Sequence, residues 1–224
     1  TFIEALRRYI NYGTTDRTIH EIDLPDIPLW LLWTLQQYRA NQGNQRCREH
    51  YGDVIKALIE AIRQNRVPNL HLDDNGLLSS DGRNHPVTWL SASVNGKPII
   101  PRSGYILEFN ALWYNALRFT VCLFENVEEE KPYANKLRVL ADKTAQSFIS
   151  TFLNANGYLN DYVDGEYVDP EVRPNMAIAI GLEYSPLDRH RKRRVLEFVT
   201  RELLTPKGLR SLSPRSPADR PIYE

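Results

Sequence analysis

The sequence predicts an all-α fold, a toroid in which outer amphipathic helices alternate with inner helices and small β-hairpins occupy the loops. Three observations predict it. Residues 47–65 and 132–153 each carry apolar side chains along one stripe and charges along the other, as helices with one face in water do. Residues 106–124 are apolar on every face, which suits a helix enclosed by other helices. Aromatic and acidic loops with tight-turn signals lead into the inner segments.

Taken in order, Phe2, Ile3, Leu6, Tyr9 and Ile10 fall at helical spacing and Gly13 stops that helix. Asp26-Ile27-Pro28-Leu29-Trp30 opens a second helix running to about Arg39, with Asp26 placed to cap and Pro28 in the first turn. The third, 47–65, buries Tyr51, Val54, Ile55, Leu58, Ile59 and Ile62 and turns Lys56, Glu60 and Arg63 outward. Periodicity breaks down over 68–104. There Asp74-Asn75-Gly76 and Val94-Asn95-Gly96-Lys97 signal tight turns between short apolar runs, so small hairpins are expected in a long, function-bearing connection. The helix 132–153 turns Leu137, Leu140, Ala141, Thr144, Phe148 and Phe152 to the core. A polar-aromatic hairpin follows over 158–169, with Asp164-Gly165 at its turn. Val172-Arg173-Pro174-Asn175 then enters an apolar helix, 176–182. A basic run, 188–194, precedes a last helix over 195–204, and the proline-rich tail has no helical period. About seven helices are expected, forming a single incomplete domain over 1–224 whose apolar open end favours self-association.

Composition narrows the function classes. The 224 residues carry zero formal net charge and a pI near 6.9, which gives no field to attract nucleic acid or an anionic membrane. The basic run lacks the aromatic or glycine-rich elements of nucleic-acid recognition and reads as a solvated helix start. No window suggests a membrane span or a signal peptide. Cys47 and Cys122 lie far apart, which fits reduced thiols and a cytoplasmic location better than a disulfide framework. No Cys or His pair has metal-ligand spacing, and Asp161, Asp164 and Asp169 lack the calcium-loop pattern, so they read as loop solvation. No cofactor is expected.

The candidate site lies in and around 101–118. Glu108, Asn110, Asn115 and Arg118 interrupt an otherwise apolar surface, and polar groups removed from water need partners. Glu108 and Asn115 are two helical turns apart, hence on one face, able to line a pocket wall. Trp113 and Tyr114 add flat surface on which a sugar ring can rest.

Thr88-Trp89-Leu90-Ser91-Ala92, Asn95-Gly96, Pro101-Arg102 and the run from Glu108 through Asn110, Trp113 and Asn115 to Leu117 together resemble the glucosidase domain of glycogen debranching enzymes. There the segment reads roughly Thr-Trp-Met-Asp-Ala, a glycine-containing loop, Pro-Arg, then Glu-(Ile/Val)-(Asn/Gln)-Ala-Leu-Trp-Tyr-Asn-Ala-Leu. The resemblance extends to Asp26 and Trp30 in an Asp-x-x-Leu-Trp motif and to Arg173-Pro174-Asn175. It implies part of an (α/α)6 barrel and a glycoside hydrolase that removes the α-1,6-linked glucose at branch points of glycogen. Branched α-glucan would be its ligand.

On that resemblance Asp26, Trp30, Trp89, Arg102, Glu108, Asn110, Trp113, Asn115, Arg173 and Asn175 are candidate substrate contacts. Asp26 has a second reading as an N-cap, and Trp30 one as a core tryptophan. Inverting hydrolysis needs an acid and a base about 6.5–9.5 Å apart. Ser91 stands where the family typically carries its acidic aspartate, so the catalytic pair is unassigned and this stretch of chain is expected to be inactive by itself. Glu108, at a helix start near Arg102, is favoured as an ionised group. Its alternatives are hydrogen bonding to sugar hydroxyls or a buried pair with Arg102. A relative that binds α-glucans without catalysis is the competing reading of Ser91.

Overall fold

A computed structural model describes residues 24–88, 93–95 and 97–219. Among them are six α-helices: α1 (Ile27–Gln42), α2 (Asn44–Arg63), α3 (Leu107–Phe124), α4 (Lys131–Phe152), α5 (Asn175–Gly181) and α6 (Arg189–Leu203). The expected helix over 2–12 lies outside the described residues.

Helix α3 is the centre. Only Tyr114, Arg118 and Cys122, one stripe spaced by four, escape full burial along it. It packs against α1, α2, α4 and α5. Its neighbours are amphipathic, as their sequences require: α2 buries Cys47, Val54, Ile55, Leu58, Ile59, Ala61 and Ile62 and leaves the charged face to water.

Side-chain bonds fix the helix directions. At the start of α2 the Arg48 guanidinium donates to the Leu123 carbonyl at the end of α3 (3.0 Å), so these two run antiparallel. Asn175, opening α5, bonds Glu108, opening α3, so those two run parallel. Just past the end of α1, Asn44 reaches the Cys122 carbonyl near the end of α3 (3.5 Å), so α1 is parallel to both. Arg138 near the start of α4 pairs with Glu125 past the end of α3 (2.9 Å). Lys192 near the start of α6 meets the Leu182 carbonyl after α5 (3.4 Å). Helices α1, α3 and α5 therefore point one way, and α2, α4 and α6 return.

Short strands gather at the starting end of α1, α3 and α5. β1 (His71–Leu72), β2 (Leu78–Ser80), β5 (Gly104–Ile106), β6 (Tyr162–Asp164) and β7 (Tyr167–Asp169) form one antiparallel sheet in the order β1-β2-β5-β6-β7, after β3 (Ser93–Val94) and β4 (Lys97–Pro98) make a separate hairpin. The tail adds a third hairpin, β8 (Leu204–Thr205) and β9 (Gly208–Leu209). Strand β5 runs straight into α3. Its Gly104 has φ +75°, and a Cβ there would sit 2.3 Å from the Val163 carbonyl oxygen of β6, so glycine alone permits this approach.

Two expectations are corrected. The basic run 188–194 belongs to α6, which begins at Arg189, because the Asp188 carboxylate accepts the Arg191 backbone N–H (2.8 Å) and caps the first turn. Asp26, by contrast, makes no capping bond to α1; its carboxylate accepts from the Trp30 indole N–H (3.2 Å). Among the described residues no helix is long and apolar enough to cross a membrane. Cys47 and Cys122 are free thiols.

Candidate functional site

Arg102 stands at the middle of a buried ionic hub. It arrives on the loop before β5, and its guanidinium grips Glu108 with two bonds, Nη1 to Oε1 and Nη2 to Oε2, each 2.6 Å. The same Nη2 donates to Asp161 Oδ1 at 2.8 Å, and Nη1 reaches the Thr88 hydroxyl at 3.4 Å. Asn175 Nδ2 donates to both carboxylates. Arg173 Nε lies 3.0 Å from Asp161 Oδ2, an ion pair whose angle falls short of a hydrogen bond. Arg102, Glu108 and Asp161 side chains are fully sealed from water, and Arg173 nearly so. Two arginines face two carboxylates, so the buried charge cancels, as it must at such depth.

The two carboxylates titrate in opposite directions. Burial pushes both up, since the charged form loses its hydration. For Glu108 the Arg102 charge and its paired bonds outweigh burial and hold the group below the usual range. The start of α3 adds to this, as a helix N-terminus favours negative charge. Asp161 receives less from Arg102, feels the like charge of Glu108, and is lifted to about 6 despite Arg173. Arg102 itself loses hydration on burial, but the two carboxylates more than compensate and raise its affinity for its proton.

The remaining candidates divide. Asn110 is fully buried and completes β2: its Oδ1 accepts the Leu78 N–H (2.7 Å), while its Nδ2 donates to the Leu78 and Ile106 carbonyls (3.0 Å each). Asn115 bonds Gln36 of α1 (2.6 Å) and the Tyr184 N–H beyond α5 (3.1 Å). Glu108 and Asn115 thus share a face, but that face is a seam of α3 with α1 and α5 rather than a pocket wall. Trp113 is entirely within the core and offers a ligand no surface. It is no sugar platform in this structure, because the side of α3 that carries it is packed inside the core. Arg118 faces outward, its guanidinium 3.9 Å from Asp142. Trp30 is half-buried, edge-on to Trp33 at 6.0 Å. Trp89 and Ser91 lie outside the described residues.

Asp161 is the member that sequence reasoning missed. It is buried and ion-paired, not a solvating loop residue, and its backbone also accepts the Leu107 N–H that opens α3 (3.1 Å). Arg102 and Arg173 were two arginines beside buried helix starts with a single carboxylate between them, a signal that a second acid was needed. Among the described residues, no group of three His, Cys, Asp or Glu side chains could hold a metal.

Comparison with known proteins bears on this arrangement. A family model described as amylo-alpha-1,6-glucosidase matches residues 13–224. No curated protein matches the chain. Among solved structures, a GH78 family rhamnosidase of Bacillus sp. GL1 superposes with a TM-score of 0.59 at 17% identity, over 79% of this chain. The chain spans 17% of that rhamnosidase's length, so the likeness speaks to the fold alone.

Proposed function

The chain belongs to the amylo-alpha-1,6-glucosidase family, and from that premise we propose that it forms part of a glycoside hydrolase releasing the α-1,6-linked glucose at branch points of glycogen or a related glucan. One observation carries the reading. Helices α1, α3 and α5 begin at one end, and each is entered through a segment bearing a family motif: Asp26 and Trp30, Arg102 and Glu108, Arg173 and Asn175. In a complete (α/α)6 toroid that end is the mouth of the central depression, where a sugar would bind.

The hub holds that rim in place. Glu108 and Asp161 are not the acid and base, because oxygens of both meet the same Arg102 nitrogen and no glycosidic oxygen or attacking water can lie between two sealed carboxylates. The raised affinity of Asp161 for its proton serves no substrate for the same reason. Direct sugar contact falls to groups with surface remaining, Trp30 foremost, and to the segment carrying Trp89. Proton transfer falls to carboxylates other than these two.

The test is glucose release from phosphorylase-limit dextrin by the full-length protein. Release of free glucose is expected, and a protein that leaves the dextrin's branch points intact would overturn the proposal. Ser91, where the family typically places aspartate, favours one competing reading, an α-glucan-binding relative without catalysis. In that case Ser91→Asp should raise glucose release by about a hundred- to ten-thousandfold, the usual contribution of a positioned general acid.

A further inference from the structure

The buried hub is unevenly bonded. Among the described residues eight buried side-chain nitrogen or oxygen atoms lack a hydrogen-bond partner, and four of them belong to it: Arg102 Nε, Asp161 Oδ2, Arg173 Nε and Asn175 Oδ1. Glu108, by contrast, has both oxygens in bonds to Arg102. Asp161 spends Oδ1 on Arg102 and Asn175 and keeps Oδ2 for Arg173 alone, at 3.0 Å and off the hydrogen-bond angle. A sealed acceptor without a donor is unfavourable, and a proton on Oδ2 would remove it. That proton would also remove the one ion pair that Arg173 makes among the described residues.

We propose that the Asp161–Arg173 pair is a proton-released latch: a proton taken up from water on Asp161 Oδ2 frees Arg173, and with it the segment that enters α5. Arg173 is the part that moves, because a cation left without its anion in a nearly sealed place turns to water. It carries a neighbour with it. The Val172 carbonyl beside it accepts the Ser213 N–H (3.1 Å), so residues 211–216 lean on the same stretch. The start of α3 does not follow, because Arg102 holds Glu108 ionised below the usual carboxylate range. The other groups that act on Asp161 do not oppose the release. Arg102 stays a cation, the negative charges of Glu108 and Asp169 favour the proton, and burial keeps the Tyr162 phenol neutral. Arg173 lowers the affinity of Asp161 for its proton, so by reciprocity the proton weakens the hold on Arg173. That the loosened segment borders a sugar site rests on the glucosidase reading; the latch does not.

Amide hydrogen exchange of the full-length protein, read by mass spectrometry and corrected for the intrinsic pH dependence of exchange, tests the latch. Peptides covering 171–176 and 211–216 should exchange about tenfold or more faster at about pH 5 than at about pH 7.5, while those covering 107–112 stay protected. Asp161→Asn, uncharged at every pH, should exchange fast there throughout. Arg173→Gln leaves no cation to release and should lose the acid response, which decides the matter if Asp161→Asn fails to fold. Wild-type protection that is equal at both pH values overturns the latch, and so does an acid response that persists unchanged in either variant. Glucose release from limit dextrin is measured on the same samples. A latch that opens in a protein releasing no glucose keeps this inference and removes the glucosidase reading. Glucose release by a protein whose exchange is indifferent to pH does the reverse.

Discussion

Two polar clusters tie α1, α3 and α5 together, one at the start and one at the middle of the same face of α3, and they are built from different chemistry. At the starting end, Glu108 joins a sealed four-charge hub with Arg102, Asp161 and Arg173. Two turns on, Asn115 joins a neutral amide pair with Gln36, which leads outward to a half-exposed ion pair between Arg39 and Glu183. The hub joins segments that belong to loops: the stretch through Thr88, the approach to β5, the β6 hairpin and the entry to α5. The amide cluster joins α1 and α3, already packed on one another, to the two residues Glu183 and Tyr184 just past α5. Loops at the rim have little apolar surface to hold them, so charges with fixed geometry position them instead. The cost is that the hub tolerates no missing partner.

Arg102→Met should therefore give the largest effect. It leaves Glu108 and Asp161 as like charges, buried and lacking their shared cation, a loss of about 3–5 kcal/mol. Urea unfolding would show it as a collapse of the midpoint toward zero denaturant. A midpoint within the error of wild type would mean that the hub is open to water and the comparison is unsound.

Asp161 sharpens the contrast through pH. Its folded-state affinity for a proton is raised, to about 6 from 3.8. The stability it contributes is accordingly fully present below the unfolded value and lost as pH rises through about 6. Glu108 has the opposite sign: its contribution is present above the ordinary Glu range and lost as pH falls. Asp161→Asn removes only the first of these. Measured from pH 4 to 7, the variant's melting temperature should gain on wild type as pH rises. A variant that instead falls further behind would show that the two arginines depress Asp161 rather than fail to compensate for its burial.

Asn115→Leu tests the neutral cluster. It leaves the Gln36 Oε1 and the Tyr184 N–H without their partner, for about 1–3 kcal/mol, the cost of unsatisfied polar groups away from water. A combined Asn115→Leu and Gln36→Leu variant should recover part of the loss, since replacing both partners by apolar groups can be nearly neutral.

The helices were legible because their signal is local. All-round apolar character gives 106–124 against the observed Leu107–Phe124, and the stripe of Val54, Leu58 and Ile62 gives α2 to within a few residues. The buried pair of Arg102 with Glu108 was legible as one of two alternatives, because a short loop separates them. Asp161 was not. It lies 53 residues beyond Glu108, in a polar hairpin whose composition looks solvated, and only the β5–β6 pairing carries it inward. The start of α6 was hidden by its charge: five Lys or Arg side chains crowd the first two turns, against the preference of a helix N-terminus for anions. Asp188 offsets this, and as an aspartate three residues before Arg191 it was the available sign. The face shared by Glu108 and Asn115 was legible too, but periodicity cannot say whether a polar face meets a ligand or other helices.

The smallest effect is expected at Arg39 and Glu183, and it tests whether geometry or burial sets the strength of these clusters. Arg39 Nη2 alone donates to both carboxylate oxygens, at 2.7 and 2.8 Å, contacts about as close as the two-nitrogen fork of Arg102 on Glu108. Glu183 also accepts from the Gln36 amide (2.9 Å). The larger difference is water: the Glu183 side chain is 44% exposed and that of Glu108 is sealed. Solvent screens the attraction and can hydrate whichever partner remains, so Glu183→Gln should cost only about 0.2–1 kcal/mol, as exposed pairs do. The loss should shrink further in about 1 M salt, where the Debye length falls to about 3 Å. Urea unfolding of Glu183→Gln and wild type at low and high salt measures this directly. A loss as large as that of Arg102→Met, or one indifferent to salt, would show that close contact between the charges and not the exclusion of water sets the strength of both clusters.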